Sequence, residues 1–162
     1  MKKFVKSTYA KVLIIALISL VGLAIYTQAV SATPNAWSSW VTSTGTFGDS
    51  SRVQVGGAYQ WNPFYRKNVF PSPTINYQTT DGFGVYCTYT GPEMYGYSLM
   101  EGREVPLWST EILDSTGDPK SHQEIVGIQA GINQIKGACN AKFISWLGDK
   151  WWRNVTAVVT AP

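Results

Sequence analysis

Histidine, cysteine and charge are what this 162-residue chain has least of. A protein zinc site wants several imidazoles or a thiolate cluster. One histidine, His122, and two cysteines, Cys87 and Cys139, supply neither. No metal and no cofactor is therefore expected. No G-x-S-x-G nucleophile elbow is present, and no internal repeat or second domain is visible. Charged residues make up 14% of the chain, and beyond residue 32 the cations stand singly apart from Arg66-Lys67. A field that draws a protein onto nucleic acid or an anionic membrane needs clustered cations. Neither partner is expected.

The charge that exists is concentrated at the start. Lys2, Lys3, Lys6 and Lys11 precede an uncharged apolar run, Val12 to Ile25, which small residues, Val30-Ser31-Ala32, close. This order is that of a secretory signal peptide: cations held on the cytoplasmic side, an apolar segment, and small side chains for the peptidase cleft. Cleavage is expected at Ala32/Thr33, with Ala29/Val30 the second choice. The competing reading is a retained anchor, but a full span takes about 20 apolar residues. Removing the leader leaves nine basic against ten acidic residues, a net charge of −1. The nominally basic chain becomes near neutral, destined for a secreted, periplasmic or extracellular place, with no membrane partner after cleavage.

Residues 33–162 are enough for one core without multiple staples. In an oxidising compartment a lone cysteine pair is usually bridged. A Cys87–Cys139 disulfide, closing 52 residues, would contribute about 4 kcal/mol on the chain-entropy model. A catalytic thiol would leave the other sulfur unexplained.

Short alternating segments separated by turn formers predict strands. In Arg52 to Trp61, the residues Val53, Val55, Gly57, Tyr59 and Trp61 share one side. Asn62 to Pro73, with three prolines, reads as a long ordered loop. Thr74 to Thr80 is a strand, and Phe83 to Thr90 another whose Phe83, Val85, Cys87 and Tyr89 share a face; Gly91-Pro92 breaks it. Met94 to Met100 and Val105 to Leu113 continue the pattern. Residues 121–137 are two-sided. A capping box from Ser121 to Glu124 with an isoleucine stripe argues for a short helix over 122–136. Alternation, and the cost of Gly127 and Gly131 inside a helix, favour a strand. Ala141 to Leu147 and Lys150 to Ala161 read as a hairpin turning at Gly148-Asp149, with Trp146 opposite Trp151. The fold class is all-β, a single antiparallel β-sandwich-like domain with one disulfide.

Chemistry is sparse. His122 reads as a solvated turn residue beside Asp118 and Glu124, and the acid pairs Glu101/Glu104 and Glu111/Asp114 as surface turns; two carboxylates across a sugar bond would nonetheless serve hydrolysis. Asp114 to Asp118 lacks the glycine and glutamate of a calcium loop. Asn154-Val155-Thr156 matches a glycosylation acceptor, a short and frequent motif.

What remains is the aromatic surplus: seven Trp and seven Tyr beyond residue 32. Rings of that size rarely vanish from solvent completely, so some are expected to form a binding surface. The candidates are Trp61, Phe64 and Tyr65 in the proline-rich stretch, Tyr95 and Tyr97, and Trp151 and Trp152 near the last turn. The leading expectation is a secreted binding module for a glycan or an extracellular or envelope protein. The alternatives are a secreted antibacterial effector or enzyme inhibitor, and a small extracellular hydrolase.

Overall fold

Twelve strands and no helix form among the residues that the computed structural model describes, 33–113 and 120–162. The leader reading of residues 1–32, and Asp114 and Asp118 with the calcium-loop comparison, lie outside the described residues. The strands are β1 (Asn35–Trp37), β2 (Val41–Thr44), β3 (Ser50–Ala58), β4 (Gln60–Asn62), β5 (Lys67–Val69) and β6 (Thr74–Thr80). They continue as β7 (Val85–Ser98), β8 (Arg103–Ser109), β9 (Ile112–Leu113), β10 (Lys120–Ile125), β11 (Ile132–Ser145) and β12 (Lys150–Thr160).

All pairings between these strands are antiparallel. The first sheet runs β1-β3-β6-β10, with β2 sharing the β1 side of β3; the second runs β12-β11-β7-β8, with β9 also on β7. One core lies between them: Val53, Val55, Ile75 and Tyr77 from the first sheet meet Met94, Ile135, Cys139, Val155 and Ala157 from the second. The sheets approach so closely at Gly137 that a methyl group there would lie 2.3 Å from Val55. The result is a β-sandwich-like fold, as the alternation predicts.

The predicted disulfide is absent. Strand register explains this: Cys87 stands opposite Phe143, whereas Cys139 stands opposite Pro92. That offset of four residues is about 13 Å along β11, beyond the roughly 7 Å between Cα atoms that a bridge tolerates. Both thiols are free and buried. Cys87 Sγ contacts the Tyr89 carbonyl oxygen at 3.3 Å and Thr90 Oγ1 at 3.4 Å. Burial pushes the Cys139 thiol up to about 11.

Other expectations shift locally. No helix forms over 122–136: β10 ends at Ile125, and the chain crosses from one sheet to the other before β11 begins. The crossing is pinned to the proline loop by Val126 N–H donating to the Pro73 carbonyl and Gln129 N–H to that of Pro71, and Gly131 takes a φ of 72°. Alternation cannot persist through a segment that changes sheets. The stretch read as one loop from Asn62 to Pro73 contains the β4–β5 hairpin, whose turn is held by Asn62 Oδ1 accepting from the Phe64 and Tyr65 amides. Strand β7 runs straight through Gly91-Pro92. Proline is tolerated because its carbonyl, and with it the nitrogen side, faces the gap between β8 and β9, where Thr110 N–H donates to the Pro92 oxygen. In the last hairpin Phe143, not Trp146, is opposite Trp151. Three residues, Trp146 to Gly148, form the turn, with Gly148 at a φ of 90°.

Candidate functional site

Strands β7, β11 and β12 turn one set of residues into the core and the alternate set outward. Row by row, the outer face carries Trp152, Lys142 and Tyr89; then Asn154, Asn140 and Gly91; then Thr156, Ala138 and Glu93; then Val158, Lys136 and Tyr95; and last Thr160, Gln134 and Tyr97. Gln134 to Lys142 spans about 27 Å of strand.

A bulge creates the aromatic end of this face. Cys87 pairs with Phe143 and Tyr89 with Lys142, so Thr88 is an extra residue on β7. Such an insertion reverses inside and outside for everything beyond it. Tyr89, which strict alternation places with buried Cys87, therefore points out. Its ring meets Trp152 edge to face, centroids 5.5 Å apart, and lies over Gly91, where a methyl group would collide with the Tyr89 hydroxyl at 2.4 Å. Lys142 Nζ stands 5.9 Å from the Trp152 ring centre and Lys136 Nζ 5.4 Å from that of Tyr95.

Between the rings the face is polar and indented. Tyr89, Gly91, Glu93, Ser109, Glu111 and Asn140 line a cleft of about 420 Å³, at the gap between β8 and β9. Glu93 is held as a double acceptor: Tyr95 Oη donates to Oε2 at 2.7 Å and Asn140 Nδ2 to Oε1 at 3.3 Å. The second contact fixes which way the Asn140 amide points. The Glu93 hydrogen bond and charge raise the Tyr95 pKa above its ordinary value. Burial, then the charge and hydrogen bonding of Glu111, raise that of Tyr89. Both phenols stay neutral donors across the physiological range.

The predicted candidates divide. Tyr95, Tyr97 and Trp152 come together on this face. Trp151, one residue away, points inward: its Nε1–H donates to buried Asp49 Oδ2 at 3.0 Å, beside an Arg153 Nε contact to the same oxygen at 2.8 Å. Trp61, Phe64 and Tyr65 belong to the β4–β5 hairpin at the far end of the sandwich. There Phe64 and Tyr65 pack edge to face at 4.9 Å, and the Tyr65 ring closes over Gly131. Lys67 of that hairpin and Tyr97 line a small hollow of about 260 Å³ together with Asn133, Gln134 and Thr160. The sequence matches no protein-family model and no curated protein. Tyr86, Tyr89, Asn140 and Glu93 were not among the predicted residues; only the bulge and strand register bring them here.

His122 is not in a turn. It lies on β10 opposite Tyr77, with Nε2 3.2 Å from Glu124 Oε2. Both line an open slot of about 500 Å³ at the edge between the sheets, with Tyr77, Trp108, Ile112 and Ser121. Glu101 and Glu104 are not a working carboxylate pair: the first contacts Arg103 at 2.6 Å, the second Lys136 at 2.9 Å. Among the described residues no three of His, Cys, Asp and Glu gather as a metal ligand set.

Proposed function

We propose that the chain is an exported binding module that takes an extended, uncharged or weakly charged glycan along the outer face of its second sheet. The observation that carries this reading is the order of groups on that face: Trp152 and Tyr89, then the Asn140, Glu93 and Glu111 cleft, then Tyr95 and Tyr97. Sugar rings combine an apolar C–H face with a rim of hydroxyls. Aromatic platforms suit the former, and fixed amide, carboxylate and phenol groups the latter. Lysines over two of the rings enrich the platform electrostatically without creating a basic patch. Glu93 serves as a positioning group for Tyr95 and Asn140, which fits recognition.

Affinity electrophoresis of the protein through gels containing neutral polysaccharides tests the proposal. Retardation by at least one polymer is expected, and Trp152→Ala combined with Tyr89→Ala should weaken it roughly tenfold or more. Retardation unchanged in that double variant overturns the site. A second reading, hydrolysis, draws on Glu93 and Glu111 lining one cleft. Release of reducing ends from the same polymers, abolished by Glu111→Gln, would replace binding with turnover.

A further inference from the structure

The end of the sandwich nearest Trp152 and Tyr86 is capped by three turns, each carrying large apolar side chains outward. The β2–β3 turn holds Phe47, the β6–β7 turn Phe83, and the β11–β12 turn Trp146 and Leu147. Phe83 is 90% exposed, Trp146 76%, Leu147 70% and Phe47 54%. Exposed apolar groups scattered singly are ordinary, but a shared tip of four is not. These four side chains project from the tips of their turns, where a soft apolar phase can surround all of them at once.

The backbone supports the same partner. A peptide group carried toward hydrocarbon must have its hydrogen bonds satisfied internally. The turns are cross-braced: Phe83 N–H donates to the Phe47 carbonyl at 2.8 Å and Trp146 N–H to that of Gly84 at 3.0 Å. Within the turns, Gly45 N–H donates to Asp49, Gly48 N–H to Gly45, Gly82 N–H to Val85 and Gly148 N–H to Ser145. A tip braced in this way holds its outward side chains in fixed places. Its charged neighbours, Asp81, Asp149 and Lys150, leave one net negative charge, which suits an uncharged rather than an anionic surface. Half-exposed Tyr86 forms a collar of the amphipathic kind that sits at headgroup depth.

We propose that this tip inserts into the interface of an uncharged lipid bilayer, placing Phe83, Trp146 and Leu147 among the upper acyl chains. The route needs neither clustered cations nor the apolar leader, the two grounds on which the sequence argues against a membrane partner. It is also independent of the glycan reading, because the tip residues are not those of the cleft.

The test uses the full chain with phosphatidylcholine vesicles carrying brominated acyl chains, which quench tryptophan only within the bilayer. Wild-type protein should lose a share of its emission that Trp146→Phe removes from the response. Phe83→Ser with Leu147→Ser, which retains Trp146 and alters only exposed positions, should raise the lipid concentration for half-maximal quenching roughly tenfold or more. Quenching that is the same in wild type and Trp146→Phe overturns the proposal. So does an unchanged half-point in the Phe83→Ser/Leu147→Ser variant, or a tip-dependent dimer with no quenching. Polysaccharide retardation, unchanged in these variants, separates this outcome from failure of the glycan site.

Discussion

Trp151 and Trp152 are neighbours on one strand and belong to different parts of the molecule. Trp151 is fixed from two sides, its indole N–H on a fully buried carboxylate and its ring against the Val85, Cys87, Ala141 and Phe143 cluster. Trp152 stands half in solvent, with Tyr89 at its edge and Lys142 above it. The strand assigns identical side chains to opposite tasks. On the inner face each group is over-determined by packing and hydrogen bonds; on the outer face aromatic area is left unspent. Residue type therefore says little about role here, and side of the sheet says most of it.

Three tests, at Asp49, at the two tryptophans and by reduction, press on that contrast. The largest effect is expected at Asp49. Burial alone would raise its pKa, but hydrogen bonds from Arg153 and Trp151, with the arginine charge, outweigh burial and hold it below the ordinary carboxylate value of 3.8. Asp49→Asn leaves Arg153 without its anion and should cost about 3–5 kcal/mol in urea unfolding. The same linkage gives a sign: because the folded pKa is depressed, the stabilisation is present above pH 3.8 and is lost as pH falls through the folded value. Asp49→Asn should flatten that acid limb; an undiminished limb would place the titrating group elsewhere.

Next come the tryptophans themselves. Trp151→Phe should lower stability by about 1–3 kcal/mol, through loss of the charge-assisted hydrogen bond to Asp49 Oδ2, which keeps only its Arg153 partner, while leaving polysaccharide retardation intact. Trp152→Ala should do the reverse, changing stability by less than about 1 kcal/mol while weakening retardation. Measuring both properties in both variants distinguishes the two faces. Equal loss of stability would dissolve the comparison.

The smallest effect, close to zero, is expected from reduction. With Cys87 and Cys139 four residues out of register, dithiothreitol should leave the thermal midpoint unchanged. Both thiols should react with Ellman's reagent in denaturant and neither quickly in the native protein. A midpoint that drops on reduction would reveal a bridge and a different β7–β11 register.

Sheet class and most strands were legible because alternation reports which side of a strand is buried. Val53, Val55, Ile75 and Tyr77 fall where period two puts them. The outer aromatic face was only half legible. Tyr95, Tyr97 and Trp152 stood out as surplus aromatics, but Tyr89 carries the same alternation signal as the buried cysteine two residues earlier. The bulge that redirects it has no composition of its own. The disulfide failed for a related reason: cysteine count and compartment say that two thiols would pair, whereas register decides whether they can. Pro92 was read as a breaker from its missing donor, though the donor would have faced a gap where nothing needs it. His122 was read from its polar neighbours, while its place on β10 comes from pairing with a strand some 45 residues earlier.

The extra residue at Thr88 acts as a phase shift in a two-state pattern. Every position of β7 after it owes its side of the sheet to that one insertion, so the face cannot be moved gradually by substitution. Deleting Thr88 would remove the bulge and keep Cys87 inward and Tyr89, Glu93, Tyr95 and Tyr97 outward; flattening the bulge at constant chain length would instead send those four into the core and turn Thr90, Pro92 and Met94 out to water. The surface is thus inverted as a whole by closing the bulge at constant chain length, and not by trimming the extra residue. A chain one residue shorter here, with Tyr89 and Trp152 retained, would present the same outer face.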